Sequence, residues 1–167
     1  MDSKVILGID PGSYNTGFGI IKICVKTKKP TYITSGIVKL SHITEFDAKL
    51  VELYKNISEI VYHYKPDIGA IEDLFVYKNV KSAIKLSHAR AACILALANA
   101  NIKFRSYSPR LVKKIVTGHG GADKDSVQYM VKSILNLPSN HIIKADASDA
   151  LAIALTRYYD SNNILTV

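Results

Sequence analysis

Three short β-like runs with tight connections open the chain and limit what it can fold into. Lys4 to Ile9 is apolar and ends at Asp10-Pro11-Gly12, where Pro and Gly stop a strand and turn the chain. Thr16 to Val25, rich in Ile, Phe and Gly, reads as a second strand. Lys26 to Pro30 is a charged turn, and the β-branched segment TYITSGIVKL, Thr31 to Leu40, reads as a third. Connections this short imply an antiparallel meander.

The pattern then changes period. Leu50, Leu53, Ile57, Ile60, Val61 and Tyr64 recur at helical spacing and predict a helix from about Glu45 to Tyr64, stopped by Pro66. Asp67 to Phe75 reads as a fourth strand, Lys81 to Asn99 as an Ala-rich helix, and Ile102 to Tyr107 as a fifth strand. Ser108-Pro109 has the form of a helix cap with Pro at the first position, so a short helix should cover Arg110 to Thr117. Gly118 to Gly121 reads as a flexible loop, and Lys124 to Leu135 and Ala145 to Tyr159 as further helices. A meander followed by two crossover units predicts an α/β fold: a mixed five-stranded sheet with helices on both faces. That is the element order of a ribonuclease-H-like fold.

The 167 residues, 48% of them hydrophobic, suit one globular domain over 1–167. No apolar run is long enough to span a bilayer; the most apolar stretch, Ala91 to Ala98, reads as a buried helix segment. The N-terminus lacks a signal-peptide layout. Cys24 and Cys93 stand far apart in no metal spacing and read as buried free thiols of a reducing cytoplasm. A cytoplasmic protein with no membrane partner is the expectation.

The net charge is +8, and its distribution says more than its size. From Leu74 to Ala122 there is no Asp or Glu, while nine bases occur: Lys78, Lys81, Lys85, Arg90, Lys103, Arg105, Arg110, Lys113 and Lys114. A surface built partly from this stretch attracts phosphate backbones. The plainer alternative is a solvated basic face on a basic protein.

Four acids stand out against this background. Asp10 closes an apolar strand, and Glu72 lies near the end of a strand expected to be central. Asp146 and Asp149 are three apart and so share one helix face, among Ala145, Ala147, Ala150 and Ala152. Such small residues let a helix approach a sheet closely. Converging carboxylates repel and take up protons unless cations compensate them. Oxygen ligands suit Mg²⁺ or Mn²⁺, and a pair of such ions serves phosphodiester hydrolysis. Singly, each acid has an ordinary reading: a turn cap at Asp10, a strand-end charge at Glu72, and dipole-favoured charges at Asp146 and Asp149.

ILGIDPGSYNTGFGII (Ile6 to Ile21), AIEDLFVYKN (Ala70 to Asn79) and ADASDALAIALT (Ala145 to Thr156) resemble the three signature blocks of the RuvC-type Holliday-junction resolvases of bacteria. SAIKLSHARA (Ser82 to Ala91) is similar to that family's second helix, and VKKIVTGHGGADKDSVQYMV (Val112 to Val131) to its basic loop and following helix. The likeness covers nearly the whole chain in order.

This resemblance implies a homodimer that binds four-way junction DNA and nicks two strands symmetrically, in recombination and repair. It also implies two Mg²⁺ or Mn²⁺ ions per active site and a complex with a branch-migration motor. Asp10, Glu72, Asp146 and Asp149 match the catalytic carboxylates, and Lys113 and Lys124 match basic positions tied to DNA contact and catalysis. Phe75 matches an aromatic that stacks on an unpaired base, and an aromatic just past a catalytic strand suits that task; core packing is its other reading. Tyr77, Lys78, Asn79, Lys81, Arg90 and Ser13 are further candidates for DNA contact, as is Asn15. Arg90 also reads as a helix-surface charge, His119 as a mobile loop residue and His88 as a packing or interface residue. Two acids depart from the family pattern. Asp73 is expected to turn to the other face of its strand, and Asp125 to neutralise Lys124 in part.

Three other functions fit parts of the sequence. A ribonuclease-H-like nuclease acting on RNA or an RNA–DNA hybrid uses the same acids. An actin-like or sugar-kinase ATPase has a loop like GIDPGSYNTGFG, but needs far more chain and carries no Gly-Lys-Ser/Thr here. A non-catalytic junction-binding module has no use for the intact acidic set.

Overall fold

The computed structural model describes residues 3–74 and 80–163. Its order is β1 (Ser3–Asp10), β2 (Asn15–Cys24), β3 (Pro30–Lys39), α1 (Phe46–Tyr64), β4 (Ile68–Glu72), α2 (Val80–Asn99), β5 (Phe104–Tyr107), α3 (Pro109–Thr117), α4 (Lys124–Ile134) and α5 (Ala145–Asn163). These are the elements the periodicity predicts, with ends moved by a few residues. β4 ends at Glu72 rather than at Phe75, which lies outside the described residues, and α5 runs on to Asn163 rather than ending at Tyr159.

The five strands pair in the order β3-β2-β1-β4-β5. β1, β2 and β3 form the antiparallel meander, and β1–β4 and β4–β5 are parallel. The period of two divides the strand side chains between two cores. Ile6, Ile21, Ile23 and Ala70 pack with α3, α4 and α5, whereas Leu7, Ile9, Ile20 and Ile71 pack with α1 and α2. Helices therefore cover both faces, as in ribonuclease-H-like folds.

Local signals explain the helix ends. Ser108 caps α3 by accepting from the Leu111 amide, with Pro109 next to it. Gly118 closes α3 in the left-handed region at φ 82°. Asp123 caps α4 by accepting from the Ser126 amide at 2.8 Å.

One expectation needs correcting. Ala91 to Ala98 is not a wholly buried segment. Cys93, Ala96 and Leu97 enter the core, but Leu95 is 53% exposed. With Val51, Tyr54 and His88 it lines an apolar groove between α1 and α2. No disulfide joins the two cysteines, of which Cys93 is buried and Cys24 only half-buried.

α5 lies unusually close to the sheet because glycines take the facing strand positions. A Cβ at Gly8 would come within 2.1 Å of the Ala150 carbonyl oxygen, and one at Gly17 within 2.0 Å of the Asp146 carbonyl oxygen. At Gly19 it would meet the Leu151 amide nitrogen at 2.7 Å. Gly17→Ala is expected to force the first turn of α5 outward and cost roughly 1–3 kcal/mol by overpacking. For a chain of this size that lowers the melting temperature by about 3–10 °C. Calorimetry checks it, and an unchanged melting temperature would contradict the close contact.

Candidate active site

Asp10 ends β1 and Glu72 ends β4, two adjacent parallel strands whose register pairs Gly8 with Ala70 and Ile9 with Ile71. One further step along that register sets Asp10 beside Glu72. Both lie on the α5 side, by alternation from Gly8 and Ala70. The site thus stands at the carboxyl ends of parallel strands, where α/β sheets place their ligands. α5 arrives over the same place with Asp146 and Asp149 in its first turns. The glycine contact at Gly17 fixes how near Asp146 can come.

All four carboxylates are half-buried, and they influence one another. Burial pushes the Asp10 carboxyl from 3.8 up to about 8, helped by the charges of Glu72, Asp149 and Asp146. Glu72 is raised by burial and by Asp149, while its hydrogen bond with Asp10 and the charges of Lys124 and Lys113 oppose the rise. Asp149 is likewise raised by burial and held back by Lys124. In its protonated form Asp10 donates to Glu72. A pair sharing one proton is the usual answer of crowded acids without a cation.

Two lysines border this pocket. Lys124 Nζ lies 3.7 Å from Asp149 Oδ2, with the lysine 74% exposed. Such a pair is weak in water, so the ammonium stays available to a phosphate. Lys113, on α3, lies near enough to act electrostatically on Glu72 and Asp149. The structure therefore brings together the six residues named as catalytic candidates. Among the described residues Asp125 makes no ion pair with Lys124, whose carboxylate partner is Asp149.

Arg90 has a role its sequence position did not suggest. Its Nε donates to the Glu72 carbonyl oxygen at 3.0 Å, and its Nη2 donates to Ser106 Oγ at 2.5 Å and lies 3.4 Å from Asp73 Oδ1. It ties the ends of β4 and β5 together behind the site, so its guanidinium is committed within the protein rather than open to DNA. Asp73 turns away from Glu72 to the α2 side of the sheet, as the alternation predicts, where its carboxylate meets Arg90. It sits exposed just past β4, with its amide donating to the Tyr107 carbonyl oxygen. Arg105 is also committed internally, to Asp160 at 2.9 Å.

Ser13 lies half-buried in the turn after Asp10, and Lys81 is exposed at the start of α2. That turn is braced by Thr16, whose hydroxyl accepts from the Gly12 amide and donates to the Gly12 carbonyl oxygen. Phe75, Tyr77, Lys78 and Asn79 lie outside the described residues.

The residues present suit a divalent cation. The donors are all carboxylate oxygens, already crowded enough to hold Asp10 protonated near neutral pH. Among the described residues no three His, Cys, Asp or Glu side chains are arranged to hold a metal ion by themselves. Mg²⁺ does not need such a set, because it binds through one or two carboxylates and completes its shell with waters and substrate phosphate. An open, acid-lined pocket next to lysines fits an ion that arrives with a phosphodiester.

Comparison with known proteins agrees with this geometry. A family model described as crossover junction endodeoxyribonuclease RuvC matches residues 6–157. The RuvC crossover junction endodeoxyribonuclease of Edwardsiella ictaluri is 42% identical over 164 residues, covering 98% of this chain and 92% of that protein. The RuvC of Vibrio atlanticus is 45% identical over 153 residues, covering 92% and 86%. Thermus thermophilus RuvC, solved in complex with a Holliday junction substrate, superposes with a TM-score of 0.85 at 30% identity, covering 96% of each chain. A six-residue site of this kind, inside a chain matched almost from end to end, leaves one assignment: the protein belongs to the crossover junction endodeoxyribonuclease RuvC family.

Proposed function

We propose that this protein resolves four-way DNA junctions by metal-dependent phosphodiester hydrolysis, in recombination and repair, and acts as one domain over residues 1–167. The observation that carries this reading is the meeting of Asp10, Glu72 and Asp149 at the ends of β1, β4 and the first turns of α5, next to Lys113 and Lys124. Metal dependence is general to nucleases of this family. Asp10, Glu72, Asp146 and Asp149 would hold two Mg²⁺ or Mn²⁺ ions. Bound there, such ions supply an activated water and charge compensation at the leaving oxygen.

The chain's own groups do the rest. The carboxylates fix where the scissile phosphate must lie. Lys124 and Lys113 face negative charge that builds on that phosphate. Arg90 keeps the Glu72 backbone in place. Phe75, Tyr77, Lys78, Asn79, Lys81 and Ser13 surround the pocket in sequence, and we assign them to strand contact, with Phe75 stacking on an unpaired base.

Two symmetric cuts need two sites, and we propose a homodimer that places them. The apolar groove of Val51, Tyr54, Ala91 and Leu95 between α1 and α2 supports it, since exposed apolar surface of this sort marks an interface. A branch-migration motor is the expected further partner. Among the described residues no helix is long and apolar enough to cross a membrane.

The deciding experiment is cleavage of a labelled four-way junction with Mg²⁺ or Mn²⁺, beside linear duplex and RNA–DNA hybrid. Paired metal-dependent nicks confined to the junction are expected; preference for the hybrid would move the protein to another nuclease class. Asp10→Ala and Glu72→Ala should each abolish cutting yet retain junction binding, because removing negative charge does not weaken phosphate contact. A gel-shift titration checks this, and loss of binding together with cutting would count against their roles.

Stability gives an independent reading of the same acids. Asp10 has its folded pKa raised, so its contribution is complete below about pH 4 and is lost as pH rises through about 8. Without divalent metal the melting temperature should therefore fall across that window, and Asp10→Asn should flatten the fall. Added Mn²⁺ should restore stability at the alkaline end in the natural protein and much less in Asp10→Asn. Thermal melts with and without EDTA measure both effects. Equal metal stabilisation of the two proteins would remove Asp10 from the ligand set.

A further inference from the structure

Packed against the turn that follows Asp10 is a lysine that makes no ion pair among the described residues. Lys49, in the first turns of α1, is only 8% exposed. Its ammonium sits 4.2 Å from the centroid of the Tyr14 ring. Burying a charge is costly without compensation, and here an aromatic face provides it. The ring itself is not core: Tyr14 is 59% exposed.

The position of this pair sets it apart from an ordinary surface contact. Tyr14 stands in the turn that leaves β1 four residues after Asp10. That turn is held at both ends. Thr16 closes it onto Gly12, and the Leu40 amide donates to the Tyr14 carbonyl oxygen at 2.8 Å. Because Lys49 belongs to α1, the ring leans to the α1 side of the sheet, opposite the α5 wall that carries Asp146 and Asp149. Further along the same side Lys85 Nζ lies 5.7 Å from the Phe46 ring, at the start of α1. Two aromatic–lysine pairs thus stand on the α1 side, one of them in the turn that follows Asp10. Aromatic faces next to cations are what single-stranded nucleic acid stacks upon.

We propose that Tyr14 is a stacking residue for an unpaired base of the strand being cut, with Lys49 as its positioning residue. Lys49 occupies one face of the ring and fixes its angle; the other face is open to a base. The proposal rests on the resolvase reading above. It adds a second aromatic contact to the one assigned to Phe75. A base held there keeps its 5′ or 3′ phosphate close to the acids, so the pair should act on the rate of cutting more than on overall affinity.

The test is single-turnover cleavage of four-way junctions by the full-length protein in Mn²⁺, with 2-aminopurine replacing each nucleotide flanking the crossover in turn. Tyr14→Leu should slow cutting roughly 5- to 100-fold, the loss of one base–aromatic stack. It should also abolish the fluorescence change at one of the substituted positions, with circular dichroism showing the variant folded at the assay temperature. Tyr14→Phe should keep both rate and signal. Lys49→Met should slow cutting in the same direction, and the double variant should be no slower than Tyr14→Leu alone, because the lysine acts through the ring. Cutting by Tyr14→Leu at the natural rate would overturn the stacking role, as would failure of Tyr14→Phe to rescue it. Additive losses would overturn the positioning role of Lys49. If the natural protein cuts no junction at all, the resolvase reading fails first and the stacking role falls with it, which is a separate and recognisable result.

Discussion

The approach of α5 to the sheet is the constraint on which the site depends. Three glycines of β1 and β2 give up their side chains so that the α5 backbone can rest against the strands. The alanines of α5 meet them from the other side. Contact this close wins little from any one side chain, but it removes freedom: α5 can sit at one height and one rotation. Asp146 and Asp149 inherit that precision, since they stand on the rigid helix rather than on a loop. Asp10 and Glu72 inherit it from the β1–β4 register. A catalytic set must be held to a fraction of an ångström, and backbone-to-backbone contact provides that better than long side chains do.

The same closeness has an electrostatic cost. Four carboxylates brought together by packing repel, and burial adds to the penalty, which is why Asp10 titrates near 8. The fold offsets part of this. The amino end of α5 carries partial positive charge towards Asp146 and Asp149. Lys124 and Lys113 act on Glu72 and Asp149 from α4 and α3. The offset is incomplete, and incompleteness is useful. A fully neutralised pocket would have no affinity for a divalent ion; a wholly uncompensated one would strain the metal-free fold.

Much of this was legible in the sequence. The change from period two to period 3.6 predicted every element, and Ser108-Pro109 marked the start of α3 to within one residue. The acids could be picked out because each sat in an apolar or Ala-rich setting. What stayed hidden depended on tertiary partners. Gly8, Gly17 and Gly19 look like ordinary strand glycines until α5 is seen against them. Arg90 reads as one more base in an acid-free stretch, yet its hydrogen bonds join two strand ends that are distant in sequence from α2. Lys124 was expected to be neutralised in part by its neighbour Asp125, but adjacent helical residues do not face one another, and its partner comes from α5. Leu95 belongs to the most apolar stretch and is still exposed, because a helix packed on one face leaves its other face outside whatever its composition.

The division of charge also bears on how a strand enters. A polyanion does not approach four carboxylates unaided. Positive charge on the surface draws it in over a longer range, and the acids matter only at contact, where a cation can sit between phosphate and carboxylate. Two of the nine bases in the acid-free stretch, Arg90 and Arg105, are committed to internal pairs, so the attraction falls to the others and to the lysines at the pocket itself. Lys49 belongs to neither group. It is buried, makes no ion pair among the described residues and is set against an exposed ring, an arrangement that contributes little to long-range attraction and suits a ligand at contact distance. Long-range charge thus gathers the strand, and short-range groups of both signs decide which phosphate lies over Asp10.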